Sequence, residues 1–286
     1  MIEKWFLLSI LAQLSFAIST SLDKYFMNKK FDISKTSTLK MFFNSIILLI
    51  IGLIFFNLKF TLNSILFSAL LGLVFATGVI IYFISLKLRD VEEVAPLIQS
   101  GMILLVFIFS IILFNETVNI FNYFGLAFIL IGIHTLLSKK GFKLPKLDKS
   151  LGFISLFIIS GTIYWLLSKK LLLNIEPINL SIMMYFFTAV ILFIFEITLK
   201  DKILKQTRTK KINVLPIIIA SIFGALATFL IYSALTMGNA SKVYPMAGLQ
   251  LVFIFIFASI FLKEKFTWRR LLGTIIITLG IYLTYL

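Results

Sequence analysis

The 286-residue chain is 60% hydrophobic, only 14% charged and has a mean hydropathy of +1.07. That is too apolar for a soluble domain of this length, and no segment alternates as the strands of a membrane barrel would. A net charge of +15 would suggest nucleic acid in a soluble protein; here the basic residues read as a membrane topology signal, and no nucleic-acid partner is expected.

The charges are gathered between long charge-free runs. In chain order these are Trp5–Leu22, Met41–Leu58, Phe60–Leu86, Val94–Asn115, Thr117–Ser138, Leu151–Ser168, Pro177–Phe195, Ile212–Ser241, Val243–Leu262 and Leu271–Leu286. Most reach the roughly 18–20 residues a helix needs to cross a bilayer. The last is shorter, with Phe266–Trp268 available to extend it at the interface. The first resembles a signal-peptide core, but it is too long for one and no soluble domain follows, so it is read as a span. The sequence therefore predicts an all-α integral membrane protein with ten transmembrane helices. Trp5 and Trp268, at run ends, are expected to be interface anchors.

The loops after helices 1, 3, 5, 7 and 9 hold 5, 2, 5, 6 and 4 Lys/Arg, whereas the opposite side has only Lys4, Lys59, Lys169, Lys170 and Lys242. This bias places the lysine-rich loops in the cytoplasm and both termini outside the cell membrane. The preference for lysine, isoleucine and phenylalanine points to an AT-rich prokaryotic genome.

The chain also repeats itself. The passage from Tyr82 to Ile133 returns from Tyr232 to Ile281, so that Tyr82, Pro96, Glu116, Gly125 and Gly132 fall opposite Tyr232, Pro245, Glu264, Gly273 and Gly280. The halves are read as residues 1–138 and 151–286, joined by a basic cytoplasmic linker at 139–150. Five helices per half is an odd number, so the second half enters the membrane upside down. Duplicated, inverted hydrophobic halves are a common construction of secondary transporters, with the substrate site between them.

The segments FNETVNIFNYFGLAFILIGI (114–133) and LKEKFTWRRLLGTIIITLGI (262–281) resemble the ending of the EamA-type repeat of the drug/metabolite transporter superfamily. In that pattern an apolar helix is followed by a glutamate in a very short turn, then by a helix with glycines seven apart. The resemblance covers nearly the whole chain. It implies a ten-helix basket with a central cavity and alternating access, and a cargo such as an amino acid, sugar, drug or lipid-linked headgroup.

Candidate residues follow from cost. An unpaired amide in hydrocarbon costs several kcal/mol, so Gln13, Asn44, Gln99 and Gln250 are either interhelical glue or cavity ligands. The aromatics Tyr82, Trp165, Tyr185 and Tyr232 lie inside runs, and Tyr82 and Tyr232 are repeat equivalents. Ser9, Gln13, Thr20 and Lys24 form one stripe on helix 1; Ser155, Thr162 and Lys169 form another on helix 6. Serine and threonine also bond their own helix. Lys24 and Lys169 either draw anionic groups inward or snorkel. Pro96 and Pro245 suit the first turn of the helices they open, or mark broken helix ends that offer backbone to substrate. Glu116 and Glu264 suit helix capping or gating. The paired glycines suit close helix packing.

One histidine (His134), no cysteine and no carboxylate pair within a run leave no constellation for an enzyme. No metal and no cofactor are expected. The expected partners are membrane lipid and a small-molecule substrate, in a monomer or homodimer. The leading expectation is a secondary carrier exporting a small metabolite such as an amino acid. Uptake of a sugar or other neutral solute, or a lipid-headgroup flippase or accessory subunit, are the alternatives.

Overall fold

The structure is a computed structural model that describes residues 3–28, 32–88, 91–137, 149–198, 213–261 and 267–286. The described residues are helical almost throughout, because a backbone in hydrocarbon has only its own helix to satisfy its polar groups. The helices are α1 (Lys4–Asn28), α2 (Ile33–Phe55), α3 (Leu62–Leu88), α4 (Val91–Phe114), α5 (Ile120–Leu137), α6 (Lys149–Leu171), α7 (Pro177–Thr198), α8 (Val214–Met237), α9 (Ala240–Val243), α10 (Ala247–Phe261) and α11 (Trp268–Tyr285). A 3₁₀ turn, Tyr244–Met246, joins α9 to α10, and the three together form the ninth crossing. Among the described residues nine stretches are long and apolar enough to span. The tenth crossing, α11, has 18 residues but carries Arg269 and Arg270 in its first turn.

The helix starts are written in short polar signals. Thr61 and Ser64 exchange backbone-to-side-chain bonds before α3, at 2.9 and 3.2 Å. Asn119 and Asn122 do the same before α5, at 2.9 and 3.0 Å. Asp32, Asn213 and Thr267 cap α2, α8 and α11. Each cap satisfies donors that the first helical turn leaves without a partner.

The packing carries the signature of inverted halves. Helix α1 lies on α8 as α6 lies on α3; α2 lies on α8 as α7 lies on α3; α1 lies on α10 as α6 lies on α4; α4 lies on α5 as α10 lies on α11. The pairs α2–α7 and α5–α11 map onto themselves. Exchanging each crossing with the one five later therefore carries these principal contacts into one another, as a twofold axis in the membrane plane would. Hydroxyl-to-carbonyl bonds stitch these contacts: Ser19 to Ala220 at 2.9 Å, Ser45 to Ile182 at 3.0 Å and Ser160 to Val74 at 3.2 Å.

The tightest contact is between α5 and α11. A Cβ on Gly125 would sit 2.7 Å from the Gly280 carbonyl and 2.7 Å from the Thr284 nitrogen; one on Gly273 would sit 2.6 Å from the Leu136 nitrogen. Backbone meets backbone there, so Gly125, Gly132, Gly273 and Gly280 serve close packing. This contact brings the two termini together: Asn119 Nδ2 donates to the Leu286 carbonyl at 3.1 Å, and the Phe6 and Tyr285 rings lie 4.5 Å apart.

Two expectations need correction. Trp5 is not an interface anchor. It is 5% exposed, packs against Gly238 and donates its indole N–H to Glu3, whereas Trp268 is 76% exposed. Neither duplicated proline opens a helix in the expected way. Pro96 lies inside α4, beyond its first turn, and Pro245 lies in the 3₁₀ turn that interrupts the ninth crossing. A proline ring cannot donate to the helical ladder, so the chain tightens to 3₁₀ geometry around Pro245.

Candidate functional site

A cavity of about 380 Å³ lies between the halves, lined by residues of α1, α3 and α4 from the first and of α6, α7, α8, the 3₁₀ turn and α10 from the second. None of its lining residues is charged. Its polar groups are three amides (Gln13, Gln99, Gln250), the hydroxyls of Thr20, Ser160 and Thr228, four tyrosines and the Trp165 indole. Phe16, Phe75 and Phe157 add apolar ring surface.

Six of the eight sequence candidates line this cavity: Gln13, Tyr82, Gln99, Trp165, Tyr185 and Gln250. They differ in how far they are already satisfied. Gln250 donates to Thr20 Oγ1 at 2.9 Å, and the Tyr185 hydroxyl pairs with Thr228 at 2.5 Å. The amides of Gln13 and Gln99 have no hydrogen-bond partner among the described residues, although Gln13 is only 3% exposed. They are polar groups waiting on the cavity.

Asn44 and Tyr232 are not among the lining residues. Both are buried and bonded to protein. With its amide oriented to suit its neighbours, Asn44 donates to the carbonyls of Ser221 (3.0 Å) and Lys40 (3.1 Å), tying α2 to α8. The Tyr232 hydroxyl pairs with that of Tyr164 at 2.7 Å and with Ser168 at 3.2 Å. Tyr164 does line the cavity, so Tyr232 stands one bond behind it. Sequence reading missed Tyr164 and Tyr244; the only available signal was a tyrosine inside an apolar run, shared with many aromatics.

The polar stripes separate as well. From α1, Gln13 and Thr20 reach the cavity, whereas Ser9 bonds the Trp5 carbonyl of its own helix at 2.7 Å. From α6, Ser155 is exposed and Thr162 bonds the Ile158 carbonyl at 2.8 Å. The hydroxyls of Ser9 and Thr162 therefore serve their own helices.

A charged clasp stands at the end of the molecule nearer the termini. Asn115, with φ 51°, takes the left-handed conformation asparagine tolerates and turns the chain out of α4. Glu116 then accepts from the backbone N–H of Ala240 at 2.7 Å and of Ser241 at 2.8 Å. It caps the start of α9, not the helix that follows it in sequence. Lys169 donates to the carbonyls of Leu235 at 2.6 Å and Gly238 at 2.8 Å, at the finish of α8. A carboxylate at a helix start and an ammonium at a helix end each meet the favourable pole of the helix dipole. Lys169 thus neither snorkels nor lines the cavity. At the other end of the molecule Asp23 pairs with Lys40 at 2.5 Å. The side chain of Lys24 and the whole of Glu264 lie outside the described residues, as do most residues of the linker at 139–150.

Ten crossings in two inverted halves around a neutral cavity define a multi-pass membrane protein. The EamA-like transporter family matches residues 3–138 and again 149–286, and the chain belongs to that family of transporters, which are not enzymes. Over 67 residues the chain is 42% identical to an uncharacterized transporter in the cobO 3'region of Sinorhizobium sp; that match takes in 23% of this chain and 47% of the relative's length. A solved crystal structure of a protein superposes with a TM-score of 0.80 at 14% identity, covering 100% of this chain and 99% of the other, and so shares the fold.

Proposed function

We propose that this protein is a secondary carrier that exports a small polar or amphipathic metabolite, such as an amino acid, by alternating access across the cell membrane of a prokaryote. The lysine-rich loops face the cytoplasm in this reading and the termini face outward. The observation that carries it is the pair of unpartnered amides, Gln13 and Gln99, on a charge-free cavity between the halves. Glue residues would have found protein partners, as Asn44 and Gln250 have. An amide kept free in so apolar a place is stabilised when a ligand supplies the missing bond.

A neutral cavity also suits turnover. Hydroxyls, amides and ring faces hold a solute without the deep well that a buried, unscreened charge would create. Inverted halves supply the second state, because exchanging the conformations of the two halves turns the opening from one side to the other.

The test is counterflow in proteoliposomes preloaded with a metabolite mixture, with labelled amino acids added one at a time. Saturable accumulation is expected for at least one. None, with folded protein inserted in both orientations, would turn the assignment toward sugars or lipid headgroups. Gln13→Leu and Gln99→Leu are expected to raise the half-saturating concentration by roughly tenfold each, about the worth of one hydrogen bond to a buried group. Their thermal unfolding should stay near that of the parent, since no protein bond is lost. Unchanged transport in both variants would remove these amides from the site.

A further inference from the structure

Three hydroxyls at and behind the cavity wall form a hydrogen-bond chain whose direction can be worked out. Ser168 and Tyr232 are both 0% exposed and neither lines the cavity, whereas Tyr164, 5% exposed, does. Ser168 Oγ donates to the Tyr164 carbonyl at 2.7 Å, the back-bond that serine makes to its own helix. A carbonyl cannot donate, so this bond takes the one proton of Ser168. The 3.2 Å contact between Ser168 and Tyr232 therefore takes its proton from Tyr232. Tyr232 then has none left, and the 2.7 Å bond between the two tyrosines takes its proton from Tyr164. In this direction three protons make three bonds. In the opposite direction the chain makes two, with the Ser168 back-bond given up and the Tyr164 proton left over.

The Tyr164 proton is thus turned into the protein, and its hydroxyl keeps only acceptor capacity for the cavity. Ser160 repeats the arrangement one turn earlier on α6. It lines the cavity too, and its proton goes to the Val74 carbonyl at 3.2 Å. Residues four apart share a helix face, so both oxygens belong to the same wall. The amides of Gln13 and Gln99 differ, because each carries a donor and an acceptor.

We propose that Tyr164 is a specificity-determining residue that accepts a hydrogen bond from an N–H or O–H group of the substrate, charged or neutral, and that Tyr232 and Ser168 are positioning residues that set this polarity. This rests on the reading of the cavity as the substrate site and names what one wall of it selects. A group that brings only an acceptor to that wall finds no proton there, and its lost water is not replaced.

The test uses two neutral probes, benzamide and N,N-dimethylbenzamide, which share a ring and a carbonyl; only the first has N–H donors. Binding of each to the purified full-length chain is measured by calorimetry. Benzamide is expected to bind the parent more tightly by on the order of tenfold, the worth of one bond to a buried group. Tyr164→Phe should remove most of that advantage. The decisive variant is Ser168→Ala, at a residue outside the cavity lining. Without Ser168, the fully buried Tyr232 keeps its proton bonded only by donating to Tyr164, so the chain reverses and the Tyr164 proton is released. N,N-dimethylbenzamide should then bind about fivefold more tightly, and the gain should vanish in Tyr164→Phe/Ser168→Ala. Lost packing would weaken both probes and would not tighten the one without donors. Tyr232→Phe removes the acceptor of that proton and should act in the same direction, which keeps the test open if the serine variant does not fold. No gain in either variant, a gain that survives Tyr164→Phe, equal binding of the two probes by the parent, or no binding of either would overturn the assignment. If labelled amino acids accumulate in counterflow while Ser168→Ala changes neither probe, the polarity assignment falls and the carrier stands. If the probes behave as expected but counterflow moves nothing, the assignment stands and the carrier reading falls.

Discussion

Gly125→Val is expected to unfold or severely destabilise the protein, by about 3 kcal/mol or more, while Gly152→Val leaves it within about 0.5 kcal/mol. Both substitutions place a β-branched side chain in a helix of the same membrane protein, so propensity alone predicts similar effects. The surroundings differ. At Gly152 an added Cβ meets nothing within 4 Å. At Gly125 it meets Thr284 Oγ1 at 2.4 Å, the Gly280 carbonyl at 2.7 Å and the Thr284 nitrogen at 2.7 Å. Two of those three are backbone atoms with no rotamer to change, so α5 and α11 must separate. Separation also breaks the bond from Asn122 Nδ2 to the Thr284 carbonyl, 2.9 Å long. Thermal unfolding and monodispersity in detergent measure the outcome. Similar melting temperatures for the two variants would mean that the glycine contact does not hold the halves together.

Glu116→Ala is expected to cost about 2 kcal/mol and to loosen the packing at the end of the molecule nearer the termini. Two charge-assisted bonds are lost, each worth about 1.5–3 kcal/mol before the partial exposure of Glu116 is allowed for. The residues left without a partner, Ala240 and Ser241, are 2% and 0% exposed, so water does not readily replace the carboxylate. Glu116→Gln should recover part of the effect, since one amide oxygen can still accept. The absence of native cysteine makes the opening measurable: Ala247, a lining residue just beyond the 3₁₀ turn, can be replaced by cysteine in an otherwise thiol-free chain. Glu116→Ala should raise its labelling rate by a membrane-impermeant reagent added on the side of the termini. Unchanged labelling together with unchanged melting would reduce Glu116 to a decorative contact.

These two sites show how unevenly the molecule is legible. The duplicated glycines announced a close helix pair, because a seven-residue spacing puts both on one helical face. Nothing local said that α5 meets α11, since the partner lies some 150 residues away in sequence. Glu116 was legible as a cap, because a carboxylate in a four-residue connection has a helix start within reach. Which helix it would reach was not legible: Glu116 precedes α5 and caps α9. The prolines misled for a related reason. A proline after a polar turn reads as a first-turn residue, yet α4 begins five residues before Pro96, and Pro245 sits at an internal break.

The amides divide in the same way. Hydropathy marks Gln13, Asn44, Gln99 and Gln250 as expensive inside a membrane, and therefore as groups with a purpose. It does not say which of them find protein partners. Asn44 has the Ser221 and Lys40 carbonyls, and Gln250 has Thr20, all brought close by helices distant in the chain. Trp5 is the sharpest case, a tryptophan at a run end that reads as an interface anchor but is drawn into the core by the gap above Gly238.

By itself the sequence determined the solvent and the symmetry: apolar run length sets the crossings, lysine bias favours an orientation, and an odd-numbered repeat demands inverted halves. These are properties of each segment's own free energy in water or lipid, and they add along the chain. Only the tertiary structure decided which polar groups are satisfied and which face the cavity. Hydrogen bonding and ring contact act over a few ångströms between helices that the chain order leaves far apart.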